Sequence, residues 1–121
     1  MSVGIETRLS DQIARYLDLV ASETKLTAAN MANIDTPGYK ALGMDFEAEM
    51  REAMQDVDRG TAPHTVQTVL EDGLIARPDG NNVSMDREGL TLAEAQLRFK
   101  TGVALLREEY TRVMDAIHSD K

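Results

Sequence analysis

The sequence predicts a mainly helical protein whose long N- and C-terminal amphipathic helices pair as an antiparallel coiled coil. Two observations support this fold class: apolar residues recur at steps of three and four over residues 10–35, and again over residues 85–118. A third is the short stretch between them, for which we expect one short helix and a small β-hairpin with its loops.

The first helix is predicted from a seam of apolar and threonine residues, with Thr7 or Ser10 as its N-cap. Residues 1–9 show no comparable period, so we expect them to be ordered only when they pack in an assembly. The seam is long for a chain of 121 residues, which favours packing between chains. It consists of Ile13, Leu17, Val20, Thr24, Thr27, Met31 and Ile34.

A Pro-Gly pair is expected to end this helix and turn the chain away from it. Pro37 disfavours the helical conformation for Thr36, so the helix should end just before that residue. Pro37 and Gly38 suit the two central positions of a type II turn, because Pro fixes φ and Gly accepts a positive φ. Asn30 and Asn33 lie on one face of the last turns, where their amides can bond free carbonyls or a neighbouring chain.

The negative charge of the chain is concentrated in its middle. The protein has 13 basic and 21 acidic residues and a formal net charge of −8. Residues 41–80 carry −6 of this, and the segments before and after them carry −1 each. The acidic balance argues against nucleic-acid binding and against a polybasic role at a membrane surface. We expect the middle segment to be solvated or to face a partner.

Short elements are expected within this acidic segment. Residues 41–59 predict an amphipathic helix with Asp45 as its N-cap. Residues 65–76, which are rich in β-branched side chains and contain a Glu-Asp-Gly turn, predict a β-hairpin. The Pro, Gly and Asn residues of segment 77–82 predict a loop.

The last helix is expected to span about residues 85–118, with Ser84 as its N-cap. Gly89 and Gly102 weaken it and permit a bend or the close approach of another helix. Because two paired helices cover only one side of each apolar stripe, the rest of the stripe is expected to pack against other chains. The predicted packing positions are Leu92, Phe99, Val103, Leu106, Tyr110, Val113 and Ile117.

The sequence contains no pattern that indicates catalysis or a bound ion. It lacks cysteine, a phosphate-binding loop, a dinucleotide fingerprint and a nucleophile elbow. We interpret His64 and His118 as exposed or incidental, and Asp56 and Asp58 as solvated surface carboxylates. A partial calcium-loop pattern over residues 79–90 has apolar residues where oxygen ligands are required. We expect no enzyme activity, no cofactor and no metal.

From the sequence we expect neither a cleaved secretory signal nor a membrane-spanning segment. The N-terminus lacks the basic and apolar regions of a cleaved secretory signal, and no apolar run is long enough to cross a bilayer. We expect the chain to divide into a terminal helical domain, made of residues 1–38 and 81–121, and an acidic insert of residues 39–80.

Two distant stretches carry a resemblance to a known family. Residues 30–40 resemble the N-terminal signature of bacterial flagellar axial proteins, which form the rod, the hook and the hook-associated structures; the signature positions are Asn30, Asn33, Thr36, Pro37, Gly38 and Tyr39. Residues 79–99 are similar to the FlgB family of proximal rod proteins, in which a Gly-Asn-Asn-Val loop precedes the C-terminal helix. That loop is formed here by Gly80, Asn81, Asn82 and Val83. The resemblance covers nearly the whole chain and departs from the family pattern at Gly89, Ala95 and Phe99.

The resemblance implies a structural subunit of the flagellar basal-body rod that assembles helically through its terminal helices and transmits torque. Such subunits leave the cytoplasm through the flagellar type III export apparatus, without a cleaved signal peptide, and assemble in the periplasm. The implied partners are further copies of the chain, other rod subunits, membrane-ring and rod-adaptor proteins at the rod base, and the export apparatus. The alternatives are a cytosolic helical adaptor or secretion chaperone, and another axial rod or hook-base subunit.

Overall fold

The computed structural model describes residues 7–119 and is mainly helical, as the sequence predicts. The prediction for residues 1–9 falls largely outside the described residues, although Arg8 and Leu9 already belong to the first helix. Within residues 7–119 no helix combines the length and the hydrophobicity needed to cross a bilayer. The elements follow the order α1 (Arg8–Ala32), β1 (Leu42–Gly43), α2 (Phe46–Arg59), β2 (Val69–Leu70) and α3 (Met85–His118).

Helix α1 begins with a capping box that uses both predicted cap residues. The Thr7 hydroxyl accepts a hydrogen bond from the Ser10 backbone N–H at 3.0 Å, and the Ser10 hydroxyl accepts one from the Thr7 N–H at 2.8 Å. The helix ends at Ala32, so the prediction that it continues to just before Thr36 is wrong. The reason is that Asn33 already leaves the helical conformation, with φ −105° and ψ 20°.

Helices α1 and α3 lie side by side and run antiparallel. At one end, the Thr7 hydroxyl donates to Glu109 Oε2 over 2.5 Å. At the other end, Asn30 Nδ2 donates to Glu88 Oε1 over 2.7 Å. Since the contact moves forward along α1 while it moves backward along α3, the two chain directions oppose each other.

The face that α3 turns toward α1 is not the apolar stripe that the sequence suggests. The buried residues of α3 are Glu88, Ala95, Gly102 and Glu109, spaced by seven residues. Small side chains in the middle of this line let the two helices approach closely. The predicted packing positions lie beside it: Leu92, Val103, Leu106 and Val113 are half-buried, and Phe99, Tyr110 and Ile117 are exposed. On α1, Ile13 and Val20 are buried, and Leu17 and Met31 are half-buried; Ile34, which is also half-buried, lies beyond the end of this helix.

The closeness of the helices at Gly102 leads to a testable prediction. A Cβ atom at this position would lie 2.6 Å from Leu17 Cδ2 and 3.1 Å from two ring atoms of Tyr16. We expect Gly102→Val to lower the free energy of unfolding by about 1–3 kcal/mol, because neighbouring side chains must move. Gly89 on the same helix has no atom within 4 Å of such a Cβ, so Gly89→Ala should raise stability by up to about 1 kcal/mol. Urea unfolding gives the free energy of unfolding of both variants. Equal changes in Gly102→Val and Gly89→Ala would contradict the close approach of the helices at Gly102.

The acidic insert packs on the helical pair through α2. Asp45 caps this helix as predicted, and Gly60 ends it in the left-handed region with φ +67°. The rings of Phe46 and Tyr16 meet edge to face with centroids 5.9 Å apart. The guanidinium of Arg98, on α3, lies 4.1 Å from the Phe46 ring centroid. The start of α2 therefore contacts both long helices.

The predicted β-hairpin within residues 65–76 is wrong. Strand β2 pairs instead with β1, which precedes α2, so that Leu42 lies opposite Leu70 and Gly43 opposite Val69 in an antiparallel pair. The segment that follows α1 contains β1, whose free backbone groups pair with β2. This partner, which is distant in the sequence, takes the place of the predicted one in residues 74–76. Residues 74–76 form no strand, and the Ile75 side chain is 91% exposed.

Candidate assembly site

The two stretches that carry the family resemblance meet at one end of the α1–α3 pair. The backbone N–H of Gly38 donates to the carbonyl of Asp79 at 2.8 Å. The N–H of Asn82 donates to the carbonyl of Tyr39 at 3.2 Å. We call residues 30–42 and 79–88 together the motif junction. Segments about 40 positions apart in the sequence thus form a single structural site.

Two glycines allow the backbones of the junction to touch. Gly38 has a φ of +76°, and the Tyr39 N–H donates to the Thr36 carbonyl at 3.2 Å, as expected for a type II turn with Pro37 and Gly38 at its centre. Gly80 has a φ of +86°, and a Cβ there would lie 3.3 Å from the Cα of Gly38. Both positions therefore favour glycine, and at Gly80 the contact adds to the conformational reason.

Asn81 closes the C-terminal end of α1 from a distance. Its side chain is fully buried, and its Nδ2 donates to the carbonyls of Asn33 and Thr36 at 2.8 and 2.9 Å. Its Oδ1 accepts the backbone N–H of Val83 at 2.8 Å. The neighbouring Asn82 accepts the backbone N–H of Ala41 at 2.7 Å. Two consecutive amides therefore fix the loop against the segment that leaves α1.

Asn30 connects three parts of the chain through one buried amide. Its Nδ2 donates to the Leu42 carbonyl at 2.8 Å and to Glu88 Oε1 at 2.7 Å. Its Oδ1 accepts the Leu42 N–H at 3.0 Å and the Tyr39 hydroxyl at 3.1 Å. All four hydrogen-bonding positions of the amide are used, and the side chain is fully buried. Asn30 thus bonds a remote part of its own chain, whereas Asn33 bonds the helix-end carbonyl of Ala29 at 2.8 Å.

Glu88 is the one acidic side chain at the centre of the junction, and sequence reasoning did not single it out. It is fully buried, and within the described residues its Oε2 has no hydrogen-bond partner. Burial raises the pKa of Glu88 above its usual range; the hydrogen bond from Asn30 opposes this, and the nearby Glu71 carboxylate adds to it. Since the folded-state pKa exceeds the unfolded one, the chain loses stability as pH rises through the folded value.

Thr36, Pro37 and Gly38 lie exposed on the rim of the junction, and Tyr39 is half-buried behind them. Among the predicted residues of the Gly80 loop, Asn81 and Val83 are buried. The junction brings together all the predicted turn and loop positions, while the predicted helix-packing positions are spread along α1 and α3. Their contribution to assembly stays a prediction.

Two interpretations of acidic and histidine residues are wrong. His64 is not incidental, because its two ring nitrogens lie 2.8 Å from Asp56 Oδ2 and 3.0 Å from Glu49 Oε1. Asp56 is buried rather than solvated, whereas Asp58 is exposed and pairs with Arg8. The surrounding sequence pattern contains no signal for the His64 contacts. They join a loop to α2, and the sequence alone does not show which face of α2 the loop covers.

Neither the junction nor the insert presents a metal centre. Within residues 7–119 no group of three or more His, Asp or Glu side chains is arranged so that it could hold a metal ion. In the loop that partly resembles a calcium site, both N–H groups of the Asn81 amide and its Oδ1 bond the protein's own backbone.

Comparison with known proteins decides the family. No family model matches the chain. The flagellar basal body rod protein FlgB of Salmonella typhimurium is 31% identical over 119 residues, covering 84% of this chain and 86% of that protein. FlgB of Escherichia coli K12 is 30% identical over 123 residues, covering 85% and 88%. FlgB of Cereibacter sphaeroides is 33% identical over 127 residues, covering 94% and 99%. The chain belongs to the FlgB family.

FlgB proteins are named for the rod of the flagellar basal body, so membership indicates a structural protein of the bacterial flagellum. The matches to FlgB relatives extend over most of the chain rather than over one motif. They therefore include the long helices, the insert and both halves of the motif junction. The resemblance seen in the two sequence stretches is confirmed at the level of the family.

Proposed function

We propose that this FlgB-family protein is a structural subunit of the proximal rod, which assembles helically through α1 and α3 and transmits torque. The observation that carries this proposal is the apolar surface that α3 leaves uncovered. Large apolar side chains on this helix are 41–67% exposed on both flanks of the line that faces α1, and apolar surface of this extent is typical of a protein interface. They are Met85, Leu90, Leu97, Phe99, Leu105, Tyr110, Met114 and Ile117.

The terminal helices are proposed to form an antiparallel coiled coil within each subunit and to present their outer stripes to neighbours. Residues 1–38 and 81–121 would make up this helical domain, and residues 39–80 the acidic insert. The heptad spacing of Glu88, Ala95, Gly102 and Glu109 supports the intramolecular pairing. Because the facing line is narrow, large apolar residues on both sides of it remain available to other chains.

The motif junction is proposed to give the subunit stiffness where the chain leaves the helical pair. Torque is transmitted only if the insert keeps a fixed orientation to the helices. Asn30 and Asn81 supply this by bonding both segments from fully buried positions. Close packing of such interlocked segments resists bending, because protein interiors are dense and little compressible.

The proposed partners are further copies of the chain, other flagellar rod subunits, and membrane-ring and rod-adaptor proteins at the rod base. The proposed location is the periplasmic part of the basal body. We propose that the chain reaches it through the flagellar type III export apparatus without a cleaved signal peptide. The names of the FlgB relatives support the rod, and the route and the neighbours are inferred from the family resemblance.

The proposal is tested by locating the tagged protein in basal bodies purified from a strain that lacks the native copy. We expect the wild-type chain to co-purify with rods and to restore swimming. Phe99→Asp places a charge in the exposed stripe, so it should leave the helical content of the isolated chain intact but abolish incorporation. Thr111→Asp is the matched control and should incorporate normally, because this exposed position of α3 has Arg107 and Asp115 as its i±4 neighbours. Normal swimming with no tagged protein in the basal bodies would contradict the proposal.

A further inference from the structure

After α2 the chain returns along that helix as an extended segment of residues 61–68, which we call the strap. The strap precedes β2 and contains no regular secondary structure. Most of its side chains are exposed, and only His64 and Val66 are half-buried. Burial of apolar surface therefore contributes little to holding the strap in place, and polar contacts must do most of it.

The polar contacts join three strap residues, spaced by three, to two buried carboxylates of α2. The N–H of Thr61 donates to the Asp56 carbonyl at 2.9 Å, and its hydroxyl lies 3.3 Å from Asp56 Oδ1. The N–H of His64 donates to Asp56 Oδ2, and the N–H of Gln67 to Glu49 Oε1, each at 3.3 Å. Asp56 and Glu49 are 6% and 7% exposed, so water does little to satisfy these acids.

His64 makes the shortest side-chain contacts of this group. Its Nδ1 lies 2.8 Å from Asp56 Oδ2, and its Nε2 lies 3.0 Å from Glu49 Oε1. A neutral imidazole carries a proton on only one nitrogen, and an ionised carboxylate only accepts hydrogen bonds. Both contacts are therefore hydrogen bonds only when the ring is an imidazolium. Loss of the proton leaves one carboxylate facing a nitrogen lone pair.

The remaining charges around His64 come from α1. Arg15 and Asp18 line the same cavity as His64, and Arg15 Nη2 donates to the Thr61 carbonyl at 3.1 Å. Asp18 is exposed and adds a further negative charge. Without the imidazolium, the described lining of this cavity would have Arg15 as its one cation, beside Asp18 and the two carboxylates that His64 contacts. The local charge balance therefore favours a proton on His64.

We propose that His64, Asp56 and Glu49 form a proton-dependent latch, which fastens the strap to α2 while the imidazole is charged and releases it when the proton is lost. Release detaches residues 61–68 and loosens β2, which follows directly. The α1–α3 pair and the buried amides of Asn30 and Asn81 make no contact with these three side chains. The latch therefore acts on the insert, and it reaches the motif junction only through the pairing of β2 with β1.

The direction of the pH dependence follows from the pKa shifts. The hydrogen bond to Asp56 raises the pKa of His64, burial opposes the rise, and the Glu49 carboxylate adds to it. The latch thus contributes its full stability below the unfolded pKa of His64 and loses it as pH rises through the higher folded value. The same bond lowers the pKa of Asp56, so at the acidic end the latch is lost only as pH falls through that lowered value.

The consequence for assembly rests on the proposed function. A rod subunit would pass from the cytoplasm to a compartment whose pH follows the surroundings of the cell. The latch would leave the insert looser on the more alkaline side of this passage and tighter on the more acidic side. Failure of the latch would not affect the rod assignment, because its test uses the isolated chain and not the basal body.

The test combines two measurements on the full-length protein between about pH 5.5 and about pH 9, a range centred on histidine titration. An NMR titration of the His64 ring gives its folded-state pKa. Amide hydrogen exchange, corrected for intrinsic rates, gives the protection of the Thr61, His64 and Gln67 N–H groups. Linkage requires the two to agree: for each unit by which the pKa is raised, strap protection should fall about tenfold across the titration. Amides in the middle of α1 should keep their protection.

Two variants complete the test. His64→Gln should leave the strap amides weakly protected at every pH, since an uncharged amide cannot replace the bridge between two carboxylates. His118→Gln, which changes an exposed residue at the end of α3, should behave as the wild type. Strap protection that is unchanged between acidic and alkaline pH, or a His64→Gln variant with wild-type protection, would overturn the latch. The titration of the unmodified chain needs no variant and decides the question even if His64→Gln folds poorly.

Discussion

Replacing Asn30 by Ala is expected to lower the free energy of unfolding by about 4 kcal/mol, from the cost of buried polar groups left without partners. The substitution removes the donor to Glu88 and both backbone partners of Leu42 in a site that is closed to water. Urea unfolding followed by circular dichroism measures the loss. Asn33→Ala is the matched control: the Asn33 amide donates to one carbonyl and accepts the Thr36 hydroxyl, both at the surface, so its loss should cost about 1 kcal/mol.

The effect of Asn30→Ala should also depend on pH. The hydrogen bond from Asn30 lowers the pKa of Glu88, which burial otherwise raises, so its removal raises that pKa further. The destabilisation should therefore be larger at about pH 8 than at about pH 5, because the ionised carboxylate then lacks its donor. In a Glu88→Gln background this pH dependence should disappear. A penalty that is equal at both pH values would contradict the role assigned to the Asn30–Glu88 contact.

Replacing Gly80 by Val is expected to cost about 3 kcal/mol and to separate the two halves of the motif junction. Its φ of +86° disfavours a β-branched residue, and the new Cβ would lie 3.3 Å from the Cα of Gly38. Because that atom is backbone, it cannot turn aside as the end of a side chain can. Thermal unfolding measures the loss of stability, and the amount of tagged variant in purified basal bodies measures assembly. We expect both the unfolding temperature and the incorporated amount to decrease.

Gly73→Val separates the two causes of this effect. Gly73 has a similar positive φ of +76°, but no atom lies within 4 Å of a Cβ built there. It should therefore show only the conformational cost, about 1–2 kcal/mol, and should incorporate normally. If both glycine variants lose the same stability and assemble equally well, the contact between Gly80 and the Gly38 backbone is not important for assembly.

Local sequence signals predicted those parts of the fold that local interactions determine. Helix α3 begins after Ser84 and ends at His118, as expected from its cap and its periodicity. Asp45 likewise begins α2. The end of α1 was predicted about three residues too late, because Asn81 bonds the carbonyls that follow the helix from a loop about 50 positions away. The helix end was predicted from Pro37 alone, and this residue gives no information about a contact from so distant a loop.

Pairing partners and facing surfaces were the parts that periodicity could not identify. Strand β2 pairs with β1, from which α2 separates it in the sequence, and not with the segment that follows the nearest turn. In α3, the line facing α1 consists of small and acidic residues, so the apolar pattern marked the flanks of the contact and not its centre. Glu88 and His64 were missed for a related reason: a single ionisable residue has meaning only once its buried neighbours are known.

The antiparallel arrangement of α1 and α3 has a practical consequence for labelling the molecule. Thr7 lies beside Glu109 at one pole, while Asn30, Glu88 and the junction occupy the other. Both ends of the described chain therefore lie toward the same pole of the helical pair. Affinity labels attached at the two ends would mark the same region of an assembly. The exposed turn around Gly73 lies at the opposite pole, because the Arg87 side chain bonds the Asp72 carbonyl next to it. A second label inserted at this turn would therefore give the polarity of each subunit in electron micrographs.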